Sequence, residues 1–227
     1  MRKFLQVMWK NKMDVKLLTQ KFNKLRERIY RNGAKLLVLT LYQVRFEGFE
    51  KIPASGGALL ISNHVTYMDG LLIDAAVKRP VRYVIDSYIY KWPGVHHFMK
   101  LYNAIPIEAK RDSIAAALDA AEVALKNGEL VFIFPEGQLT YTGNMSRFRF
   151  GAEWMAKRAP VPVYPIAIKG LWGSIFSRKY RRSKWKFIPR SFRRKVILKC
   201  GDPIPHEKAK ISYMQQKVMR LKNSIEL

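Results

Sequence analysis

Leu130–Phe134 (LVFIF) is five apolar residues in a row, closed off at once by Pro135-Glu136-Gly137. A run this short cannot be an amphipathic helix, and it lacks the alternation of a strand with one face in water. It reads as a strand buried on both faces, which in soluble proteins means a parallel sheet covered by helices. Ala58–Ser62 (ALLIS), bounded by Gly-Gly and Asn63, carries the same signature. Around these two, a short strand in the run Tyr42–Pro53 (YQVRFEGFEKIP), followed by a turn at Pro53–Gly57, and strand-like stretches at Val81–Ile85, Asn103–Ile107, Pro162–Lys169 and Val196–Cys200 alternate with helical ones. The helical stretches are Met68–Val77, Ser113–Lys126 with Asp112 as its N-cap and Asn127-Gly128 as its stop, Ala152–Arg158, and the residues after Glu207. Alternation of this kind predicts a single α/β domain with a mixed, mostly parallel sheet flanked by helices. The expected organisation is a basic amphipathic helical segment over residues 1–42, the sheet domain over 43–205, and a C-terminal helix over 206–227 packing on it.

Charge adds a second constraint. Lys and Arg number 42 against 17 Asp and Glu, a net charge of +25. Residues 1–35 hold eleven basic and two acidic side chains, and residues 178–195 hold ten basic and no acidic ones. The rest is an ordinary globular sequence, with 48% hydrophobic residues overall to build a core. Both nucleic acid and an anionic membrane would attract such clusters. Leu18, Phe22, Leu25 and Ile29 form an apolar stripe at helical spacing, interleaved with Lys16, Lys21, Lys24, Arg26, Arg28 and Arg31. A basic amphipathic helix favours the membrane surface, and nucleic acid is not the expected partner. The stripe would serve equally to pack the helix on the core. The longest apolar stretch, Ala34–Tyr42, is far short of the ~20 residues of a spanning helix. A cleavable leader is not expected, since no continuous apolar segment stands near residue 1. Cys200 is the only cysteine, which excludes an intramolecular disulfide and a Cys-rich metal site and fits a reducing compartment.

Two places offer chemistry. Asn63-His64-Val-Thr-Tyr-Met-Asp69 follows the first buried strand and opens a helix. On a continuous helix the histidine and aspartate would lie ~140° apart, so they meet only if His64 sits in the turn and Asp69 reaches back from the first helical turn. Asp69 would then accept from one ring nitrogen and leave the other as a general base. A structural turn would show the same residues. Phe134-Pro-Glu136-Gly137 follows the second buried strand, at the kind of strand end where open α/β sheets bind ligands. Gly137 permits close backbone approach and Glu136 supplies a carboxylate, although a solvated Pro-Gly turn is the ordinary reading of such a segment. In a chain of this length N-H-x4-D has on the order of 0.03 chance matches and F-P-E-G roughly 0.001.

With both motifs in this order, each at a strand end, the chain resembles the glycerolipid acyltransferase family, which acylates lysophosphatidic acid and related lysophospholipids. The resemblance runs from about Gly48 to Ile204 and includes Val161–Ile166 (VPVYPI) and Gly201–Pro205. FPEGQLTYTGNMSRFRFG and GLWGSIFSR look closest to the branch that acylates lysophosphatidylethanolamine. The resemblance implies an O-acyltransferase that moves a fatty acyl group from acyl-CoA or acyl carrier protein directly to a lysophospholipid hydroxyl, with no cofactor and no metal. His64 is implied as the base, Asp69 as its partner, Glu136 and Gly137 as acceptor-positioning residues, and Pro165 as part of the site floor. Where the family usually places a phosphate-holding arginine after a strand, this chain has Ala109, with Lys110 and Arg111 next. Together with Arg149 these are the expected clamp for the acceptor phosphate. The third motif carries Leu139 and Tyr141 where the family often continues with arginine. The residues agree with this chemistry: no G-x-S-x-G elbow offers a serine nucleophile and no H-E-x-x-H offers a metal site. His96, His97 and His206 read as surface or packing residues. The implied location is the cytoplasmic face of a membrane, held peripherally on its anionic surface. A non-catalytic lipid- or nucleic-acid-binding protein on the same fold is the alternative, although such a protein would need none of His64, Asp69 and Glu136.

Overall fold

The computed structural model describes residues 15, 19, 22, 25–26, 28–180 and 193–227. Leu18, Lys16, Lys21 and Lys24 of the predicted stripe, and residues 181–192 of the second basic cluster, lie outside the described residues. A helix over residues 28–41 (α1) runs straight into β1 (Tyr42–Glu47). There follow β2 (Ala58–Ser62), α2 (Asp69–Ala76), β3 (Val81–Asp86), the short α3 (Ser87–Tyr90) and α4 (Val95–Leu101). Then come β4 (Ile105–Ile107), α5 (Arg111–Lys126), β5 (Leu130–Ile133), α6 (Gly151–Arg158), β6 (Val163–Lys169), β7 (Arg194–Cys200) and α7 (Ile211–Asn223).

The strands form one sheet in the order β1-β7-β6-β2-β5-β3-β4. β2 through β6 all run the same way, and only the β6–β7 pair is antiparallel. β1 pairs parallel with β7, so these two form an edge that runs against the other five strands. The sheet is mixed and mostly parallel, as the sequence predicts.

The apolar runs are explained by two cores, one on each face. Leu60 of β2, Phe132 of β5 and Tyr164 of β6 pack with Leu72 and Ile73 of α2 and with Val38 of α1. Their neighbours Leu59, Ile61, Val131 and Val163 point the other way, onto Ala121 and Leu125 of α5, Met155 of α6, and Met214 and Val218 of α7. Side chains alternate across the strand while both faces are dry, so alternation vanishes from the sequence.

One expectation is corrected and one open alternative is narrowed. Helix α5 begins one residue before the anticipated cap, at Arg111 after Lys110, so Asp112 lies inside the first turn. There a carboxylate still complements the helix dipole, and the Ser113 hydroxyl instead accepts the Glu108 backbone N–H at 2.8 Å. Gly128, at φ +81°, ends the helix as anticipated. The open alternative concerns the segment that leads into α1. The buried face of that helix is Ala34 and Val38, whereas Phe22, Leu25 and Ile29 are all exposed, so these members of the stripe do not pack on the core.

Candidate active site

β2 and β5 are neighbours in register, Ile61 beside Ile133, so the connections that follow them emerge side by side. Asn63 fixes where β2 stops. Its side chain is buried and pairs with β6 as a peptide would, Nδ2 donating to the Ile168 carbonyl at 3.0 Å and Oδ1 accepting from the Ile168 N–H at 2.8 Å. The main chain is thereby released from the ladder one residue early, and His64 stands in the turn.

Asp69 opens α2, is fully buried, and reaches back over the turn. Its Oδ2 lies 2.9 Å from His64 Nδ1 and also accepts from the N–H groups of Val65 and Thr66, at 2.5 and 3.0 Å. Oδ1 accepts the Thr66 hydroxyl at 2.8 Å, and that hydroxyl accepts from the Met68 N–H at 3.1 Å. Both oxygens accept from surrounding N–H and O–H donors, so the carboxylate faces the ring as an acceptor, Nδ1 carries the ring proton and Nε2 presents a lone pair. Phe134 stacks on the imidazole, ring centroids 3.7 Å apart and planes within 8°, which sets the ring orientation from the other side. The ring remains partly open, with 19% of the side chain exposed.

Glu136 reaches the histidine through the backbone. It is buried; Oε1 accepts from the His64 N–H at 2.7 Å and Oε2 from the Ser146 N–H at 2.6 Å. Burial raises the Glu136 pKa, against the pull of the Ser146 and His64 N–H groups, which stabilise the charged form. The carboxylate thus ties the turn after β2 to the long connection after β5, where sequence reading gave it to the substrate. A third tie runs between the same segments, from the Thr140 N–H to the His64 carbonyl at 3.0 Å.

Gly137 has φ +64°, and a Cβ there would meet the Arg149 guanidinium group at 3.0–3.2 Å. Glycine is therefore needed both for the turn and for the close pass of Arg149, whose N–H donates to the Pro135 carbonyl at 2.8 Å. A shallow cavity of about 390 Å³ opens here, lined by Glu136, Gln138, Ser146, Arg147, Phe148, Arg149 and Phe150. Lys222 of α7 supports the far side of this connection, donating to the Gly143 carbonyl at 3.1 Å, and burial lowers its pKa.

His64, Asp69, Glu136, Gly137 and Arg149 are thus brought together. Lys110 and Arg111 are exposed beyond β4, three strands across the sheet from β2, or about 14 Å at ~4.8 Å per strand. Lys110 pairs there with Glu108 at 3.0 Å. Pro165 is buried inside β6 beside Ile61, and its carbonyl accepts from the Gly201 N–H, so it lies within the sheet below the histidine turn. Sequence reading gave no role to Asn63, Thr66 or Ser146. Thr66-Tyr-Met-Asp69 has the spacing of a helix capping box, the one local signal that could have assigned Thr66. Among the described residues no group of three or more His, Cys, Asp and Glu side chains is placed to hold a metal ion.

Residues 43–169, which contain this whole arrangement, match the family model described as Acyltransferase. The chain belongs to the acyltransferase family. Its relatives in that family include a chloroplastic 1-acyl-sn-glycerol-3-phosphate acyltransferase of Arabidopsis thaliana, 26% identical over 60% of this chain and 39% of the relative. The 1-acyl-sn-glycerol-3-phosphate acyltransferase alpha of Mus musculus is 30% identical over 63% of this chain and 51% of the relative. The chain therefore spans about two fifths to one half of these relatives' length. The crystal structure of the 1-acyl-sn-glycerophosphate acyltransferase PlsC from Thermotoga maritima shares the fold, with a TM-score of 0.68, 24% identity, and coverage of 90% of this chain and 80% of that one.

Proposed function

We propose that this acyltransferase-family chain transfers a fatty acyl group from a thioester, acyl-CoA or acyl carrier protein, to the free glycerol hydroxyl of a lysophospholipid. The observation that carries the reading is the His64–Asp69 contact at 2.9 Å, with the aspartate buried and the ring partly open. Nε2 of His64 takes the hydroxyl proton as the oxygen attacks the thioester carbonyl. The tetrahedral intermediate then expels the thiolate, which recovers that proton from the imidazolium. Asp69 keeps the proton on Nδ1 throughout and stabilises the transient positive charge. Glu136 works at one remove, by holding the His64 backbone. No acyl-enzyme is involved: Cys200 is buried, and burial pushes its thiol up to about 12.

Arg149, packed against Gly137 at the cavity mouth, is the residue best placed to hold the acceptor phosphate. Lys110 and Arg111, at the end of β4 three strands from β2, are the second candidates for the clamp. Lysophosphatidic acid is the first acceptor to test, because the relatives are named for it. Lysophosphatidylethanolamine is the second, because the segments after Phe134 and Gly170 resemble that branch. The acyl chain of the acceptor and the basic sequence support peripheral docking at an anionic membrane, on its cytoplasmic face, as part of this proposal. Among the described residues no helix is long and apolar enough to cross a membrane.

The test is thiol release from acyl-CoA and from acyl carrier protein, each offered with both lysolipids, with products identified by mass spectrometry. His64→Ala is expected to lower kcat by ~10²–10⁴ with an unchanged circular dichroism spectrum. Turnover near that of the unsubstituted protein in a folded His64→Ala variant would remove the mechanism. Absence of transfer to either acceptor from either donor would remove the function.

A further inference from the structure

The parallel strands give the sheet a carboxyl edge, where His64 opens, and an amino edge opposite. Exposed large apolar side chains divide sharply between the two. Tyr67 follows β2, Tyr88 follows β3, Tyr141 and Phe150 follow β5, and Phe176 follows β6, so all five stand on the carboxyl edge. Among the described residues, none of the connections at the amino edge, over 48–57, 77–80, 102–104, 127–129, 159–162 and 201–210, holds an exposed large apolar side chain.

These rings are not scattered. Tyr67 and Tyr88 both lean on Trp92, at centroid distances of 5.6 and 5.8 Å. Tyr141 lies under the Arg178 guanidinium at 4.3 Å. The connections that carry them are laced together around the histidine, through the Thr66–Ser177 bridge and the Thr140 N–H to His64 carbonyl bond.

The excess of exposed cations over acids is larger at the carboxyl edge. Lys91, Lys110, Arg111, Arg147, Arg149 and Lys179 are exposed on the carboxyl edge, where the exposed acids are Asp86 and Asp112. At the amino edge exposed Lys51, Lys78, Lys208 and Lys210 stand with exposed Glu50, Asp202 and Glu207, and Lys51 pairs with Asp202 at 2.7 Å.

Exposed aromatic rings cost free energy in water, whereas tyrosines with a polar tip, set among lysines and arginines, match a bilayer interface: ring at the acyl boundary, hydroxyl and cations at the phosphates. We infer that the carboxyl edge of the sheet, with Tyr67, Tyr88, Tyr141 and Phe176 around the opening of His64, is the face that docks on an anionic phospholipid bilayer. This rests on the acyltransferase reading and adds to it: the histidine is pressed against the surface in which its acceptor is dissolved. Lys110 and Arg111, exposed on the same edge, are placed for contacts to surrounding headgroups. The exposed Phe22, Leu25 and Ile29 of the N-terminal segment are a separate apolar strip, and the two make distinguishable contributions.

The experiment compares the full chain with a Tyr88→Ser/Tyr141→Ser variant in co-sedimentation with mixed phosphatidylglycerol–phosphatidylcholine vesicles. A Val123→Ser/Met219→Ser variant, altered on the outer faces of α5 and α7, is the control. The tyrosine variant is expected to bind at least roughly tenfold more weakly, as loss of some 50 Å² of buried apolar surface per ring predicts, and the control to bind as the unsubstituted protein does. Transfer to a lysolipid embedded in the vesicles should fall with binding, while transfer to the same lysolipid dispersed below its micelle concentration should hold. Equal vesicle binding by all three proteins would overturn the docking face and leave the acyltransferase reading intact. Tight binding of duplex DNA or RNA in place of vesicles, lost in the same tyrosine variant, would overturn the membrane as its occupant. Vesicle binding by this face without any acyl transfer would leave the docking face standing and remove the function.

Discussion

At the amino edge of the sheet Arg79 donates to three carbonyls at once, those of Pro53, Gly56 and Gly128, and so staples two turns together. Gly57 lies so close to helix α5 that a Cβ would fall 2.0 Å from the Leu125 carbonyl oxygen. Its polar groups are spent on the backbone and its connections are tight. At the carboxyl edge the connections are longer, the glutamate and aspartate are buried at the turns, and a histidine, a cavity and a set of exposed rings face outward. The same strands end in both places. One edge is built to hold the sheet together, and the other uses comparable hydrogen bonds to hold one imidazole in one orientation. The difference teaches that stability and chemistry are separable here, edge by edge, as expected where strand carboxyl ends carry the site of an open α/β sheet.

Substitution at each edge tests that separation. The largest effect is expected from Asp69→Asn. An amide in place of the carboxylate turns an N–H₂ group toward the Val65 and Thr66 N–H groups or toward Nδ1, and the wrong ring tautomer follows. A loss of ~10³–10⁴ in kcat is expected, by analogy with the aspartate of protease triads. Steady-state kinetics alongside thermal unfolding would check it, and a loss of folding without a kinetic defect in the folded fraction would break the comparison. Glu136→Gln comes next. One of its two oxygens becomes a donor facing a backbone N–H, removing one charge-assisted bond of ~1.5–3 kcal/mol, so kcat should fall roughly ten- to hundredfold. KM for the acyl donor should move little, because both Glu136 oxygens accept from the His64 and Ser146 N–H groups; a defect confined to donor KM would assign Glu136 to donor binding instead. Smallest in activity is Arg79→Ala, which should cost ~2–3 kcal/mol of stability, seen as a lower urea midpoint, with kcat within about twofold of that of the unsubstituted protein. A large kcat loss in Arg79→Ala would show that the two edges are coupled.

What could be read without coordinates follows the same physical line. The strands β2, β5 and β6 were legible because burial on both faces leaves their runs almost wholly apolar, with Ser62 and Lys169 only at the ends of β2 and β6. Helix α5 was legible through its Ala-rich periodicity, while its start slipped by a residue because Lys110, Arg111 and Asp112 are all compatible with a first turn. Of the site, His64 and Asp69 were legible as a pair on one condition, the turn, and Asn63 meets it by standing in for a peptide against Ile168. That contact spans 105 residues, and nothing local encodes it. That Glu136 also holds the His64 backbone was not legible for the same reason, since its partners, His64 and Ser146, belong to different connections.

The sequence by itself determined the layered α/β class, the strand ends at which the chemistry stands, and the residue types able to abstract a proton, because these depend on short-range patterns of burial and spacing. Only the tertiary structure decided the reversed pair β7 and β1 at one edge, the gathering of Arg149 toward the site and the distance of Lys110 and Arg111 from it, and the segregation of exposed rings to the histidine edge. Strand order and direction are set by pairing between segments far apart in the chain. A residue's distance from the reacting atoms is therefore a property of the assembled sheet rather than of any motif.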